Sequence, residues 1–153
     1  MIQSINDKDQ KESICRDTLT ALPEWFEIPE SIEDYAYNVR NMPLWADVEG
    51  DECCGFAALR ETSPYAVEVY VMGVKKQYHR CGIGTLLLDE LCRYARAHGY
   101  EYIHVKTVES GYYDDYDKTN DFYRSYGFRE LECLKALWGE ENPCQLYVMA
   151  INN

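Results

Sequence analysis

The sequence has no long apolar segment, no Cys-x-x-Cys pair and few basic residues, and each absence excludes a class of protein. No apolar run approaches the ~20 residues that cross a bilayer, and residues 1–9 are polar, so neither a membrane span nor a signal peptide is expected. Seven cysteines, an odd number without metal-site spacing, favour reduced thiols in the cytoplasm and predict no metal site.

Basic residues are scarce relative to acidic ones, and this imbalance limits the partners. Fifteen Lys and Arg against 27 Asp and Glu give a net charge of -12, which disfavours nucleic acid and anionic membranes. A cationic partner is favoured, although excess acid also serves solubility. At 153 residues, without repeats or linkers, the chain is expected to form a single domain over residues 1–153.

One stretch, residues 71–88, passes from an apolar strand through a basic, glycine-bearing turn into an amphipathic helix. Gly82 and Gly84 lack side chains, so an anion can approach the backbone N–H groups at the start of that helix. The positive charge of this stretch reverses the overall sign of the chain, and it comes from Lys75, Lys76 and Arg80. The stretch therefore predicts a phosphate-binding turn.

The spacing of the glycines separates this turn from commoner phosphate loops. The third glycine of a dinucleotide fingerprint is absent, and no Gly-Lys-Ser/Thr follows. The hexapeptide His79-Arg-Cys-Gly-Ile-Gly84 instead resembles the Gln/Arg-x-x-Gly-x-Gly/Ala signature of the Gcn5-related N-acetyltransferases (GNAT), in which this turn binds the pyrophosphate of acetyl-CoA. His79 departs from the family residue at the first position.

A second motif lies further along the chain. Asn120-Asp-Phe-Tyr-Arg-Ser-Tyr-Gly-Phe128 resembles the segment in which the same family presents a tyrosine to the coenzyme sulfur. Tyr123 and Gly127-Phe128 match that segment. Asn120 lies only three residues before Tyr123, closer than the family places its asparagine.

The resemblance implies an α/β (α+β) fold with a mixed, mostly antiparallel sheet, flanked by helices and containing a splayed parallel pair at strands 4 and 5. Hydrophobic periodicity, prolines and glycines supply the boundaries of the predicted elements. Helices are expected at residues 8–22, 30–41, 83–97 and 120–126, and strands at 44–48, 53–60, 66–74, 102–108, 128–137 and 144–151. An aromatic loop at 24–28 is either a wall of an acceptor pocket or core, and residues 109–119 are expected to form a loop.

The resemblance also assigns roles to individual residues. The Val74 N–H is expected near the acetyl oxygen, and Tyr123 is expected to donate a proton to the departing thiolate. Glu68 is the first choice for general base, with Glu109 or a water molecule as alternatives. The predicted coenzyme contacts are Met72, Gly73, Val74, His79, Arg80, Cys81, Gly82, Ile83, Gly84, Thr85, Asn120 and Tyr123.

The resulting functional expectation is an acetyl-CoA-dependent N-acetyltransferase that acts on a primary amine of a small-molecule or peptidic acceptor. Residues 112–117 combine tyrosines with aspartates, so they are either part of a site for a cationic amine or a solvated loop. The alternatives are a coenzyme-binding sensor or interaction module of the same fold without catalysis, and an acidic interaction module without a nucleotide. A homodimer is compatible with the family resemblance.

Overall fold

The structure is a computed structural model that describes residues 1–151, and it is built around a seven-stranded sheet. The order of the strands across the sheet, numbered along the chain, is β1-β2-β3-β4-β5-β7-β6. Two short 3-10 helices, Val39–Asn41 and Lys76–Tyr78, supplement the main elements. In chain order these are β1 (Ile2–Ile5), α1 (Lys8–Thr20), α2 (Pro29–Asn38), β2 (Leu44–Glu49), β3 (Glu52–Ser63), β4 (Ala66–Val74), α3 (Ile83–Ala97), β5 (Tyr102–Val108), α4 (Asp114–Tyr126), β6 (Arg129–Leu134) and β7 (Cys144–Ala150).

The parallel pair predicted at strands 4 and 5 is present. Residues 66–68 of β4 pair in parallel with residues 102–104 of β5, whereas β1 with β2, β2 with β3, β5 with β7 and β6 with β7 are antiparallel. The parallel ladder covers three residues of each strand. The predicted fold class is confirmed.

Residue contacts divide the chain into two compact units, and each unit is built from two separate segments. Unit 1 contains residues 1–60 and 69–94, and unit 2 contains residues 61–68 together with the chain from Ala95 onward. Neither unit is a continuous stretch of sequence.

The core of unit 1 forms where α1 and α2 bury one face each. Asp7 begins α1 by accepting a hydrogen bond from the Gln10 N–H at 2.9 Å, and Pro29 begins α2 in a position where its missing N–H costs nothing. Residues at helical spacing in α1, including Ile14 and Leu19, are buried with Phe56 of β3. The spacing of apolar residues therefore predicted this face correctly.

Two glycines allow β3, β4 and α1 to approach one another closely in unit 1. A Cβ atom at Gly55 would lie 2.9 Å from the carbonyl oxygen of Gly73, and a Cβ atom at Gly73 would lie 3.0 Å from Cδ1 of Leu22. Real side chains do not tolerate the first of these distances without movement of the backbone. The end of β4 is consequently fixed between a neighbouring strand and a helix.

Unit 2 differs from the prediction at α4, which begins at Asp114 and not at residue 120. The expected loop at 109–119 is therefore wrong for its second half. Asp114, Asp115 and Asp117 lie in the first turn, where carboxylates interact favourably with the positive end of the helix dipole. The Asp117 carboxylate also accepts a hydrogen bond from the Gly111 N–H at 2.7 Å. This acidic segment starts the helix.

The remaining differences are at the ends of the chain elements. The predicted hairpin at residues 44–60 is confirmed, but β1 was not predicted because Ile2–Ile5 is short and two of its residues are exposed. Strand β6 ends at Leu134, three residues before the predicted boundary. Among residues 1–151, no helix has the length and apolar character of a membrane span.

Candidate functional site

The turn before α3 has the backbone geometry of an anion site. The Gly82 carbonyl accepts the first helical hydrogen bond, from the Leu86 N–H at 3.1 Å, so Gly82 is the residue that caps α3. The N–H groups of Ile83, Gly84 and Thr85 therefore have no acceptor within the helix. Gly82 has a φ of 81°, and nothing lies within 4 Å of where its Cβ would be. The open space at this cap lets an anion reach the backbone.

The positive charge of the turn is smaller than the sequence predicted. Lys75 lies 3.9 Å from a carboxylate oxygen of Glu52, and Lys76 forms an ion pair with Glu24. Arg80 has no ion pair with any residue from 1 to 151, and its side chain is exposed. Its φ of 66° is in the left-handed region, which is uncommon for a residue with a side chain. Arg80 is therefore the cation of this turn whose charge remains available.

Other predicted contacts in the turn differ in what they present. The Ile83 side chain is buried, so only its backbone N–H is available at the cap. Cys81 and Thr85 are exposed, and the Cys81 thiol lies 3.8 Å from the His79 carbonyl oxygen. Met72 is half-buried on β4. Backbone groups therefore form most of this surface.

The Val74 N–H points away from β3, and two contacts of its neighbours establish this direction. The Lys75 N–H donates to the Cys54 carbonyl at 2.9 Å, so it faces β3. The Gly73 carbonyl faces Gly55, which is also on β3. The peptide bonds are trans, and the N–H and C=O of one extended residue lie on the same edge, so both polar groups of Val74 face the opposite edge.

His79 does not point its side chain at a ligand position in the turn. Its Nε2 atom lies 2.7 Å from the Val74 carbonyl oxygen, and its ring meets the Trp25 ring edge-on with centroids 5.9 Å apart. The His79 side chain is thus engaged within the protein, and its contact with the coenzyme stays a prediction. The His79 backbone remains part of the turn.

In unit 2, Tyr123 lies on the inner face of α4 with 7% of its surface exposed. Its ring contacts Phe122, Phe128 and Tyr147 at centroid distances of 5.4, 5.6 and 6.1 Å. Burial raises the pKa of Tyr123 above its ordinary value.

The Tyr123 hydroxyl differs from the fully buried polar groups in its hydrogen bonding. No hydrogen bond within residues 1–151 involves it, although fully buried side-chain N and O atoms in this range all have partners. This hydroxyl is protonated at neutral pH and has its hydrogen available.

Asn120 is fully buried on the same helix, and its side chain is committed to the protein interior. Nδ2 donates to the Val108 carbonyl at 2.8 Å and to the Tyr116 carbonyl at 2.7 Å, and Oδ1 accepts from the Tyr147 hydroxyl at 2.6 Å. Both amide hydrogens and the acceptor are used. This geometry argues against the predicted coenzyme contact, and it gives Asn120 the role of joining α4 to β5 and β7.

Both candidate bases are paired with lysines. Glu68, 5% exposed, contacts Nζ of Lys106 at 2.5 Å. Glu109 lies 3.0 Å from Nζ of Lys135, and hydrogen bonds from Cys133 and Lys135 lower the pKa of Glu109. Accepting a proton at either carboxylate would break an ion pair.

Sequence patterns did not identify Trp25, Lys106 or Tyr147 as partners of these groups. Lys106 occupies an alternate position of β5 between the aliphatic residues Val105 and Val108, a charged interruption that was the one available signal. The contacts of Trp25 and Tyr147 depend on residues distant in sequence, at positions 79 and 120. No local sequence pattern indicates these contacts.

The chain is similar to known proteins in both sequence and structure. Residues 41–130 match the model of the "Acetyltransferase (GNAT) domain" family. The N-alpha-acetyltransferase RimI of Mycobacterium tuberculosis is 38% identical over 77 residues, which are 50% of this chain and 44% of that protein. The chain thus spans less than half the length of this curated relative.

Solved structures share the whole fold at low sequence identity. A GNAT-family structure from Desulfovibrio desulfuricans superposes with a TM-score of 0.85 at 18% identity, covering 99% of this chain and 100% of the other. An aminoglycoside 6'-N-acetyltransferase complexed with coenzyme A gives 0.81 at 19% identity, covering 100% and 98%. The ribosomal-protein-S18-alanine N-acetyltransferase from Escherichia coli gives 0.79 at 15% identity, covering 100% and 96%.

These structural likenesses support the fold, and the family follows from the sequence match. The matched residues 41–130 run from β2 to β6 and include both the turn before α3 and Tyr123 of α4. The match covers more than half of the chain. The protein belongs to the GNAT acetyltransferase family.

Proposed function

We propose that this protein is an acetyl-CoA-dependent N-acetyltransferase that transfers the acetyl group directly to a primary amine of a small-molecule or peptidic acceptor. The observation that carries the proposal is the cap of α3 in a chain that belongs to the GNAT family. Three N–H groups without helical acceptors, an open Gly82 and the unpaired Arg80 form a donor set that suits a pyrophosphate. The residues present therefore fit acetyl-CoA.

When bound, acetyl-CoA supplies the thioester whose carbonyl carbon the amine attacks. The chain has to stabilise the charge that develops on the carbonyl oxygen, and the Val74 N–H is our candidate donor because it lies outside the β3 ladder. A fixed N–H needs no reorientation during the reaction. This preorganisation is what makes such a donor effective.

Tyr123 is our candidate for the group that assists the leaving sulfur. Its raised pKa makes complete proton transfer to a thiolate unfavourable, because ordinary thiols have a pKa of about 8.5. We therefore assign it the donation of a hydrogen bond to the sulfur as negative charge develops. The free hydroxyl and the rigid aromatic surroundings support this role.

Glu68 remains our candidate base for the acceptor ammonium, through water or directly. Glu109 is the weaker candidate because its pKa is lowered by two partners. Glu68 also forms an ion pair with Lys106, which fixes the position of its carboxylate. Glu68→Gln should lower kcat, and amines with lower pKa values should recover part of the loss if Glu68 removes the proton.

The relatives and the net charge support the proposed acceptor class. The matched proteins are named for acetylation of protein α-amines and of aminoglycoside amines. A net charge of -12 favours an acceptor that is itself cationic. The Tyr112–Asp117 segment, which begins α4, contributes less than expected, since the Asp117 carboxylate is engaged with the Gly111 N–H.

Thermal unfolding with and without acetyl-CoA is the experiment that tests the coenzyme. A ligand at 100 times its Kd stabilises the native state by about 2.7 kcal/mol, which raises Tm by several degrees. Gly82→Glu should abolish the shift because a carboxylate would occupy the anion position. Gly50→Glu is the matched control, since Gly50 also has a positive φ and open space at its Cβ.

Release of free thiol in the presence of amines then tests catalysis. Tyr123→Phe should reduce kcat about 10- to 100-fold with the acetyl-CoA Kd unchanged, because the hydroxyl acts on the leaving group only. A coenzyme-binding module without catalysis would bind acetyl-CoA and release no thiol with any amine. Absence of a thermal shift in the wild type would refute the coenzyme assignment itself.

A further inference from the structure

The imidazole of His79 makes two contacts that tie the turn to other parts of unit 1. Nε2 lies 2.7 Å from the Val74 carbonyl oxygen, and the ring packs edge-on against Trp25 in the connection between α1 and α2. The Lys76–Glu24 ion pair joins the same two segments next to this contact. The His79 side chain thus bridges the last residue of β4 and the connection that contains Trp25.

The hydrogen bond to the Val74 carbonyl determines which ring nitrogen of His79 carries the proton. A carbonyl oxygen only accepts hydrogen bonds, so Nε2 must carry the proton and be the donor. In the neutral ring Nδ1 then holds the lone pair. The hydrogen bond is retained when the ring is protonated, because Nε2 donates in both forms.

The position of the Val74 carbonyl explains why this hydrogen bond matters. Val74 is the last residue of β4, and both of its polar groups face the edge away from β3. Holding the carbonyl restrains ψ of Val74, and it thereby favours the extended conformation in which the N–H lies on the same edge as the carbonyl.

We propose that His79 is a positioning residue that holds the end of β4 so that the Val74 N–H stays directed outward from the strand edge. The proposal rests on the proposed function, in which that N–H stabilises the acetyl oxygen. It also accounts for a histidine at the motif position where the family has Gln or Arg. His79 acts through Val74 and needs no contact with the coenzyme.

Three substitutions separate the hydrogen bond from the packing. His79→Phe keeps a ring against Trp25 but removes the donor, His79→Gln keeps an N–H donor on a shorter side chain, and His79→Ala removes both. Alanine and phenylalanine should lower kcat about fivefold, the effect of one ordinary hydrogen bond, with the acetyl-CoA Kd changed less than twofold. Glutamine should restore kcat to within about twofold of wild type.

Several outcomes would overturn the proposal. Phenylalanine with wild-type kcat would mean that the ring contact is what matters, and glutamine as impaired as alanine would exclude the donor. A loss that appears entirely in the acetyl-CoA Kd would make His79 a direct coenzyme ligand. Because His79 is exposed, all three variants should fold, and the Phe and Gln pair decides the question even without the alanine variant.

A measurement without turnover separates this proposal from the proposed function. Nitrogen-15 NMR of the imidazole in the unliganded wild type should show the proton on Nε2 when the ring is neutral. An Nδ1-protonated ring overturns the positioning role even if the enzyme is active. A failure of acetyl-CoA to raise Tm instead refutes the proposed function, and is detected separately by the thermal experiment.

Discussion

Asn120→Ala should be among the most destabilising single substitutions in unit 2. The substitution leaves the Tyr147 hydroxyl without its acceptor and the Val108 carbonyl without its side-chain donor, and both groups are buried. The Tyr116 carbonyl loses one donor at the partly buried end of the network. Alanine also leaves a void where the amide was.

The size of the effect follows from those losses. A buried polar group without a partner costs about 1–3 kcal/mol, so the hydroxyl and the Val108 carbonyl together cost about 2–6 kcal/mol. The void adds to this. We expect about 3–5 kcal/mol, a large part of the 5–15 kcal/mol typical of a folded protein. Tyr147→Phe removes only the hydroxyl and should cost about 1–1.5 kcal/mol.

Equilibrium unfolding in urea measures these free energies, and a double-mutant cycle isolates the 2.6 Å hydrogen bond between Tyr147 and Asn120. In the Asn120→Ala/Tyr147→Phe variant the unpaired hydroxyl is gone, so the double variant should be about 1–2 kcal/mol more stable than additivity predicts. Ser125→Ala, an exposed substitution on α4, is the control and should change stability by less than about 0.5 kcal/mol.

Two results would refute the reasoning. A cost below about 1 kcal/mol for Asn120→Ala would mean that water or a rearranged side chain makes the hydrogen bonds that the amide made. A cycle without coupling would mean that the hydroxyl and the amide do not interact. If instead the folded variant binds acetyl-CoA far more weakly at unchanged stability, Asn120 is a coenzyme ligand after all.

Three further predictions follow from the charges and the buried groups. Arg80→Ala should weaken acetyl-CoA binding about fivefold in titration calorimetry. Lys76→Ala should change the affinity less than twofold, because the charge of Lys76 is already paired with Glu24. Equal effects of the two substitutions would contradict the role assigned to Arg80. Cys81 should be alkylated fastest of the seven cysteines, and acetyl-CoA should protect it. Burial raises the pKa of Cys144 to about 11, so Cys144 should stay unmodified in mass spectra. A Cys81 that acetyl-CoA does not protect would exclude the turn as the coenzyme site. Burial raises the pKa of Tyr123, so the stability that this residue contributes is complete below about pH 10 and is lost as the pH rises further. In urea unfolding, Tyr123→Phe should therefore lose less stability at alkaline pH than the wild type. An identical dependence of the unfolding free energy on pH in the two proteins would contradict this prediction.

The features that the sequence predicted well are those set by neighbouring residues. Gly82 and Gly84 shape the turn through their own backbones, and the buried face of α3 follows from helical spacing at Leu87 and Leu91. These properties need no knowledge of distant contacts. The strand–helix–strand order, with its parallel pair, followed from the same local patterns.

The features that the sequence missed depend on partners far along the chain. Lys75 and Lys76 looked like free cations because Glu52 and Glu24, which pair with them, are more than 20 residues away. The aromatic partner of His79, Trp25, is likewise distant in sequence. Residues 114–119 have no apolar periodicity, so their helix formation, which depends on aspartates near the helix N-terminus, could not be read from burial.

The ion pairs of Lys75 and Lys76 also affect how fast the coenzyme arrives. With those charges paired, a chain of net charge -12 should repel the proposed polyanionic coenzyme at long range, whereas the N–H groups and Arg80 attract it at close range. Salt screens the long-range repulsion beyond the Debye length of about 8 Å but leaves the contact interactions nearly intact. Added salt should therefore speed coenzyme association and leave dissociation almost unchanged, the reverse of the usual behaviour of a phosphate site built from lysines.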